Sequence, residues 1–221
     1  MTGGTKPVIF PAMIATLPIT TALTALALGY LLGSIPFGLL FAFLSGAGDV
    51  RKIGSGSIGA TNVLRTGKKW AAALTLLFDA GKGVFAVLLM RYLFGTDASL
   101  LAAFAAFLGH LYPVWLRFKG GKGIAVSLGI LLAVNWPMAL VGMATWLVVF
   151  AGFRISSLSA LATAVAVPVC MILFATPHET ILAIALAILV FIAHRANIRR
   201  LIRGEEPRVG RKKIGADGAG A

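Results

Sequence analysis

The chain has 221 residues, of which 59% are hydrophobic and 12% charged, with a mean hydropathy of +0.94. A water-soluble domain carries about a quarter of its residues as charges, so the solvent for most of this surface is expected to be lipid. The net charge of +13 would suit a nucleic-acid binder, but the basic residues stand in short runs between long apolar stretches, as in the loops of membrane proteins; nucleic acid is set aside as a partner in favour of the bilayer.

The opening stretch, Met1 to Thr16, contains one lysine and two prolines, and the apolar run after it is too long for a cleavable signal. The first span is therefore expected to remain as an anchor. About 20 apolar residues cross a bilayer as a helix, and seven segments qualify as candidates: Thr20–Leu44, Trp70–Phe94, Ser99–Leu116, Ile124–Val134, Pro137–Phe153, Leu158–Ala175 and Thr180–Ala193. Together they predict an all-α, polytopic helical bundle forming one domain over residues 1–206, followed by a flexible basic tail over 207–221. Gly33-Ser34-Ile35-Pro36-Phe37-Gly38 should break or kink the first span. Asn135-Trp136-Pro137 reads as a tight turn between the fourth and fifth. Cys170 is the only cysteine and lies within an apolar run, which rules out an intrachain disulfide and makes a thiolate metal site unexpected.

Basic residues set the expected orientation. Seventeen of the twenty follow the first, third, fifth and seventh spans: Arg51, Lys52, Arg65, Lys68 and Lys69; Arg117, Lys119 and Lys122; Arg154; and Arg195 through Lys213. The positive-inside rule puts these connections in the cytoplasm and the N-terminus outside.

The same connections carry the chemistry. The run from Arg51 to Arg65 holds Gly54, Gly56 and Gly59 among Ser55, Ser57, Thr61 and Asn62. Glycines let the backbone turn so that amides approach an anion, hydroxyls and amides add donors, and a guanidinium grips phosphate oxygens in bidentate fashion. No Gly-Lys-Ser/Thr closes the run, so it is not a nucleotide P-loop. A basic loop that merely met lipid headgroups would not need so many glycines and hydroxyls together. Further on, Lys119-Gly120-Gly121-Lys122-Gly123 opens an apolar helix, placing ammonium groups and free amides at a helix N-terminus. His110, just upstream, is expected to be a packed histidine at a helix end rather than a base. The hydroxyls of Ser156, Ser157 and Ser159 are expected to cap the sixth span. His194 and Asn197 share a helical face and can address one ligand, the other charges of that segment forming a headgroup-facing surface. Asp79 and Lys82, three apart within the second span, can pair; an intramembrane ion pair is either functional or a structural clamp, and the sequence leaves both open.

Gly33-Ser34-Ile35-Pro36, the Gly54–Arg65 loop, Asp79-Ala80-Gly81-Lys82-Gly83, the stretch from Gly109-His110 to Gly123, and His194-Arg195-Ala196-Asn197-Ile198 resemble, in order, the motifs of the bacterial membrane-integral acyl-phosphate:glycerol-3-phosphate acyltransferases. The resemblance runs from about Leu31 to Glu206. It implies a seven-span bundle in the bacterial inner membrane with a cytoplasmic active site, where acyl phosphate and glycerol 3-phosphate give lysophosphatidate and inorganic phosphate without a cofactor. It further implies that Gly54, Ser55, Gly56, Ser57, Thr61, Asn62 and Arg65 form one phosphate-binding loop and Lys119, Gly120, Gly121 and Lys122 a second. Ser157, His194, Asn197 and Glu206 would complete the pocket, with His194, Asn197, Arg65 and Ser55 at the reacting groups. The base would be His194 or a phosphate oxygen of the substrate. The chain departs from the family pattern at Ser57, where asparagine is usual; serine keeps a donor on a shorter arm.

No His-x-x-x-x-Asp arrangement surrounds His110, His178 or His194, which excludes the mechanism of the soluble-domain glycerophosphate acyltransferases. A transporter for a phosphate compound would use the same basic loops but needs polar groups on both faces, and the opposite connections are nearly featureless. A purely structural membrane subunit would explain the spans and leave the loops unexplained. The seven acidic residues are scattered, so no metal site is expected.

Overall fold

The computed structural model describes residues 17–210, and all regular elements among them are helical. In chain order they are α1 (Ile19–Gly33), α2 (Phe37–Leu44), α3 (Ala60–Leu64), α4 (Lys69–Phe94), α5 (Thr96–Leu111), α6 (Ile124–Val134), α7 (Trp136–Phe153), α8 (Ser156–Phe174), α9 (Pro177–Ala193) and α10 (Arg195–Ile202). Single 3₁₀ turns lie at Val50–Lys52 and Val114–Leu116. The expectations for Met1–Thr16 and for the tail beyond residue 210 fall outside the described residues.

Five stretches are long and apolar enough to cross a membrane: α1 with α2, α4, α5 with the turn after it, α7 and α8. α9 and α10, bent by 63°, bring the number to six if the pair is counted as one span. The outer surface agrees, since Tyr92, Val148 and Phe174 are 88%, 72% and 74% exposed with many other large apolar side chains beside them, a patch that water would not tolerate. α6 has only 11 residues, about 16 Å at 1.5 Å per residue, roughly half a bilayer's hydrocarbon core.

Small residues bring the central helices together, as is usual where lipid removes the hydrophobic drive for helix association. Cβ atoms at Gly29 and Gly33 of α1 would collide with the backbone of Ala102 and Ala106 on α5, and one at Gly129 of α6 with the backbone of Ala80 on α4. The Lys119–Gly123 loop before α6 packs on His110 and Leu111 at the end of α5, and irregular backbone near a membrane core is tolerated only where protein or a cavity surrounds it.

The break in the first span falls where expected. Pro36 has no N–H and disfavours a helical conformation at Ile35, leaving carbonyls without helical partners. Trp115 Nε1 donates to Ser34 O (2.8 Å) and Lys82 Nζ to Ile35 O (2.8 Å). The Asn135 turn is also present: its side chain accepts from Met138 N at 3.4 Å and Pro137 occupies the first turn of α7. α9 starts three residues before the predicted Thr180, because Thr176 and Glu179 close a reciprocal capping box around Pro177.

Candidate functional site

Four connections meet at one end of the bundle around a cavity of about 580 Å³, within the range of small-molecule sites. The first is the loop before α3. Asn62, 2% exposed, is its internal pin: Nδ2 donates to Val50 O (2.7 Å) and Ser57 O (2.8 Å), while Oδ1 accepts from Ser55 N (3.1 Å) and Arg65 Nη1 (3.3 Å). An amide has two N–H donors, so the expectation that Asn62 offers them to a ligand is corrected; they hold the loop. Gly54 and Gly56 have φ of +54° and +68°, and a Cβ at Gly54 would strike Asn62 Oδ1 and crowd Arg65. These two glycines shape the loop from behind and do not line the cavity. Ser55, Ser57, Gly59, Thr61, Asn62 and Arg65 do. Ser57 Oγ accepts from Gly59 N at 3.3 Å, and Thr61 Oγ1 lies 3.2 Å from Ser156 Oγ on α8. Arg51 turns away onto Asp49 (2.7 Å), whose carboxyl it holds down at about 2.

The second connection carries Lys122. Left-handed φ values at Arg117 (+53°), Phe118 (+60°) and Gly123 (+83°) fold it back beneath α5. Gly120 N donates to Leu111 O and Gly121 N to His110 O, both at 3.0 Å. Lys122 enters the cavity and donates to Asn197 Oδ1 at 2.5 Å. Lys119 is exposed and lies outside the lining, and Gly120 and Gly121 pack on His110 rather than face the space. Of the expected pair of ammonium groups, one reaches the site.

The third and fourth connections are the α7–α8 turn and the α9–α10 bend. The serines that open α8 do not cap it: the N-cap is Ile155, without a side-chain bond. Ser156 faces Thr61, and Ser157 Oγ donates to Glu206 Oε1 at 2.8 Å. Capping is the wrong expectation because the site's partners compete for the hydroxyls. His194, 2% exposed, sits at the bend. Its Nδ1 is 2.8 Å from Val190 O; a carbonyl only accepts, so the hydrogen is on Nδ1 and Nε2 keeps its lone pair. Asn197 Nδ2 donates to Glu206 Oε1 (2.6 Å) and Arg200 Nε to Glu206 Oε2 (2.7 Å).

After α10 the chain returns over the site. Pro207 lines the cavity and Val209 N donates to Arg154 O at 2.8 Å, so the expected tail boundary after Glu206 falls inside a docked strap that runs to at least Val209. Two site residues are not legible as such in the sequence. Arg200 reads as part of a headgroup-facing surface, yet it follows Asn197 by three on the same helical face. Ser156 reads as a cap. Asp49 gave no signal.

Charge is concentrated at this end. Burial, with Arg200 and Arg65 nearby and against the opposing pull of Glu206, lowers Lys122 to about 8. Burial alone would raise Glu206, but the hydrogen bonds from Arg200, Asn197 and Ser157 outweigh it and hold the carboxyl below its ordinary value. Away from this polar head the lining is mostly apolar, with Leu76 on α4, Ile124, Leu128 and Leu131 on α6, and Met143 and Leu147 on α7; Asp79 on α4, His110 on α5, Ser127 on α6 and Thr163 on α8 also line it.

A membrane-embedded helical bundle with cations, hydroxyls and a carboxylate at one end of an apolar cavity is suited to an amphiphile with an anionic head. The family model described as glycerol-3-phosphate acyltransferase matches residues 23–204. A glycerol-3-phosphate acyltransferase of Maricaulis maris is 56% identical over 192 residues, 87% of this chain and 89% of the relative. One from Caulobacter vibrioides is 54% identical over 203 residues, 90% and 93% of the two chains. The crystal structure of PlsY, an integral membrane glycerol 3-phosphate acyltransferase, in its glycerol 3-phosphate form superposes with a TM-score of 0.81 at 37% identity, covering 86% of this chain and 96% of that one. The chain belongs to the glycerol-3-phosphate acyltransferase family, and it is an integral membrane acyltransferase.

Proposed function

We propose that the chain transfers an acyl group from an acyl phosphate to the 1-hydroxyl of sn-glycerol 3-phosphate. The observation that carries this reading is the continuity of the cavity: Arg65 and Lys122 stand at the head of a space whose remaining walls are mostly apolar, with Asp79, His110, Ser127 and Thr163 as the polar residues among them. A phosphate-bearing head is held by charge and a fatty chain by the walls of α4, α6 and α7. Similarity adds support, since PlsY has been solved in a glycerol 3-phosphate form and a lysophosphatidic acid form, the acceptor and the product of this reaction.

The hydroxyl oxygen of glycerol 3-phosphate forms the new bond to the acyl carbon, the bond from that carbon to the phosphate oxygen breaks, and lysophosphatidate and inorganic phosphate leave. The hydroxyl proton ends on the released phosphate. His194, with its Nε2 lone pair, takes the proton first in this reading and hands it on. An acyl phosphate is already an activated anhydride, so the remaining work is to hold two mutually repelling anions in contact. Arg65 with Ser55 and Thr61 serves one phosphate; Lys122, set by Asn197, serves the other, and Ser157 and Glu206 fix Asn197 and Arg200 around them.

The membrane arrangement in this reading has seven helical passes, α6 being the half-length one, with the N-terminus outside and the C-terminus in the cytoplasm of a bacterial inner membrane. The skew of the basic residues and the gathering of all four site connections at one end support it.

The test supplies palmitoyl phosphate and glycerol 3-phosphate to the purified protein in detergent and follows phosphate. Release that needs both substrates and yields lysophosphatidate is expected. Transfer from acyl-coenzyme A or acyl carrier protein, with none from acyl phosphate, would replace the donor while leaving the family intact.

A further inference from the structure

Beneath the Lys122 loop lies a cluster of ionisable side chains that the proposed chemistry does not use. Asp79 and Lys82 on α4 and His110 on α5 are 2%, 5% and 3% exposed. Lys82 Nζ donates to Asp79 Oδ1 (2.7 Å) and Ile35 O (2.8 Å) and stands 2.9 Å from His110 Nδ1. An ammonium has three hydrogens and accepts nothing. His110 Nδ1 is therefore the third acceptor, and the ring hydrogen lies on Nε2.

Neutralising a buried lysine needs only Asp79. The bond to His110 does something else. His110 is the bed of the phosphate loop: its carbonyl accepts from Gly121 N at 3.0 Å, and the loop lies so close over the ring that a Cβ at Gly121 would collide with Nε2. A rotation of the ring would displace Gly121, and Lys122 follows directly in the chain. Lys82 also ties this bed to the broken first span through Ile35 O.

We propose that Lys82, aimed by Asp79, is a positioning residue for phosphate binding: it locks the His110 ring, and the ring sets the depth of Gly120–Lys122 so that Lys122 meets Asn197. This rests on the reading that the loop holds a phosphate.

Binding of inorganic phosphate to the full, detergent-purified chain is measured by titration calorimetry, beside the melting temperature without phosphate. Four variants are compared: Lys122→Met, the double Asp79→Leu/Lys82→Met, His110→Leu and His110→Asn. The double variant removes both charges together, which avoids leaving one buried ion alone. Expected is a loss of about tenfold or more in affinity for Lys122→Met, equivalent to one charge-assisted bond, and a comparable loss for the double variant and His110→Leu at a nearly unchanged melting temperature. His110→Asn, whose amide oxygen stands near the Nδ1 position, should recover most of what His110→Leu loses; a structural filler would show no such rescue.

If Lys122→Met binds phosphate as the wild type does, the phosphate-loop reading fails and the positioning role with it. If Lys122→Met loses affinity while the folded double variant does not, only the positioning role is overturned. A double variant that cannot fold overturns it as well, since the pair would then serve the bundle and not the loop. Equal losses in His110→Leu and His110→Asn have the same meaning.

Discussion

The two loops that frame the polar head are built on opposite plans. The loop before α3 is held from within: Asn62 ties Val50, Ser55 and Ser57 to one side chain, and Asp49 secures the 3₁₀ turn that starts it. The loop before α6 has no such pin and is laid on its neighbours, with Gly120 and Gly121 bonded to the end of α5. A self-pinned loop keeps its shape when the bundle shifts; a laid-on loop moves with the helices beneath it. In the proposed reading one loop is a fixed clamp and the other carries the packing of α4 and α5 to the phosphate site.

The largest effect should come from removing the cation of either loop. In the proposed mechanism Arg65→Ala and Lys122→Met each delete a group aimed at phosphate charge, and losing one such preorganised donor costs about 10²–10³ in rate. We expect kcat/KM to fall by at least that much in each, with the melting temperature unchanged; activity within tenfold of wild type in Arg65→Ala would remove the clamp from the mechanism.

Asn62→Ala comes next and separates the plans. It leaves the Ser57 carbonyl without its side-chain donor and the Val50 carbonyl with only the 3.3 Å bond from Ile53 N, and a buried group left unsatisfied costs about 1–3 kcal/mol. The expected result is a fall of about tenfold to a hundredfold in kcat/KM with a lower melting temperature. Hydrogen exchange should rise in residues 50–65 and stay unchanged in residues 117–123. Exchange rising equally in both loops would mean the two are one unit.

This contrast also marks what the sequence could convey. The break at Pro36, the Asn135 turn and the Asp79–Lys82 pair are local signals, because the residues involved are within a few positions of one another, and each is present. The gathering of Ser55, Thr61, Arg65, Lys122, Ser157, His194, Asn197 and Glu206 around one cavity is a long-range matter that periodicity could not supply; the resemblance to a family, together with the expectation of one common side, is what singles these residues out in the sequence. Partner choice was not legible. Asn62 reads as a donor to ligand until Val50, 12 residues away, is seen to take its hydrogen. Lys119 and Lys122 look alike in the sequence, and only left-handed backbone at Arg117 and Phe118 turns one outward and the other in.

The pH profile sharpens the laid-on loop further. With Lys122 lowered to about 8, the free enzyme loses this ammonium as pH rises through that value, whereas an unperturbed lysine would keep it to about 10.4. Phosphate is bound by the charged form, so kcat/KM for glycerol 3-phosphate should be level below pH 7.5 and fall by about tenfold per unit well above 8. Bound phosphate favours the proton and moves the fall in kcat to higher pH. Lys122→Arg, which does not titrate in this range, should abolish the fall in kcat/KM whatever its absolute rate. A fall that persists in Lys122→Arg would assign it to another group.

The smallest effect belongs to Lys119, and it is the strictest check on the geometry. Lys119 is three residues from Lys122 in the same glycine-rich run, but it is exposed and outside the cavity lining. An exposed ammonium acts on a distant phosphate only through screened attraction, which falls off within about 8 Å at physiological salt. Lys119→Ala should therefore reduce kcat/KM by no more than about twofold, in line with surface substitutions away from special features. Whatever reduction appears should vanish at high salt, while the Lys122→Met defect persists because its partner is buried. A salt-independent loss in Lys119→Ala matching that of Lys122→Met would show that both ammonium groups hold phosphate together, and the loop would then have to refold around its ligand.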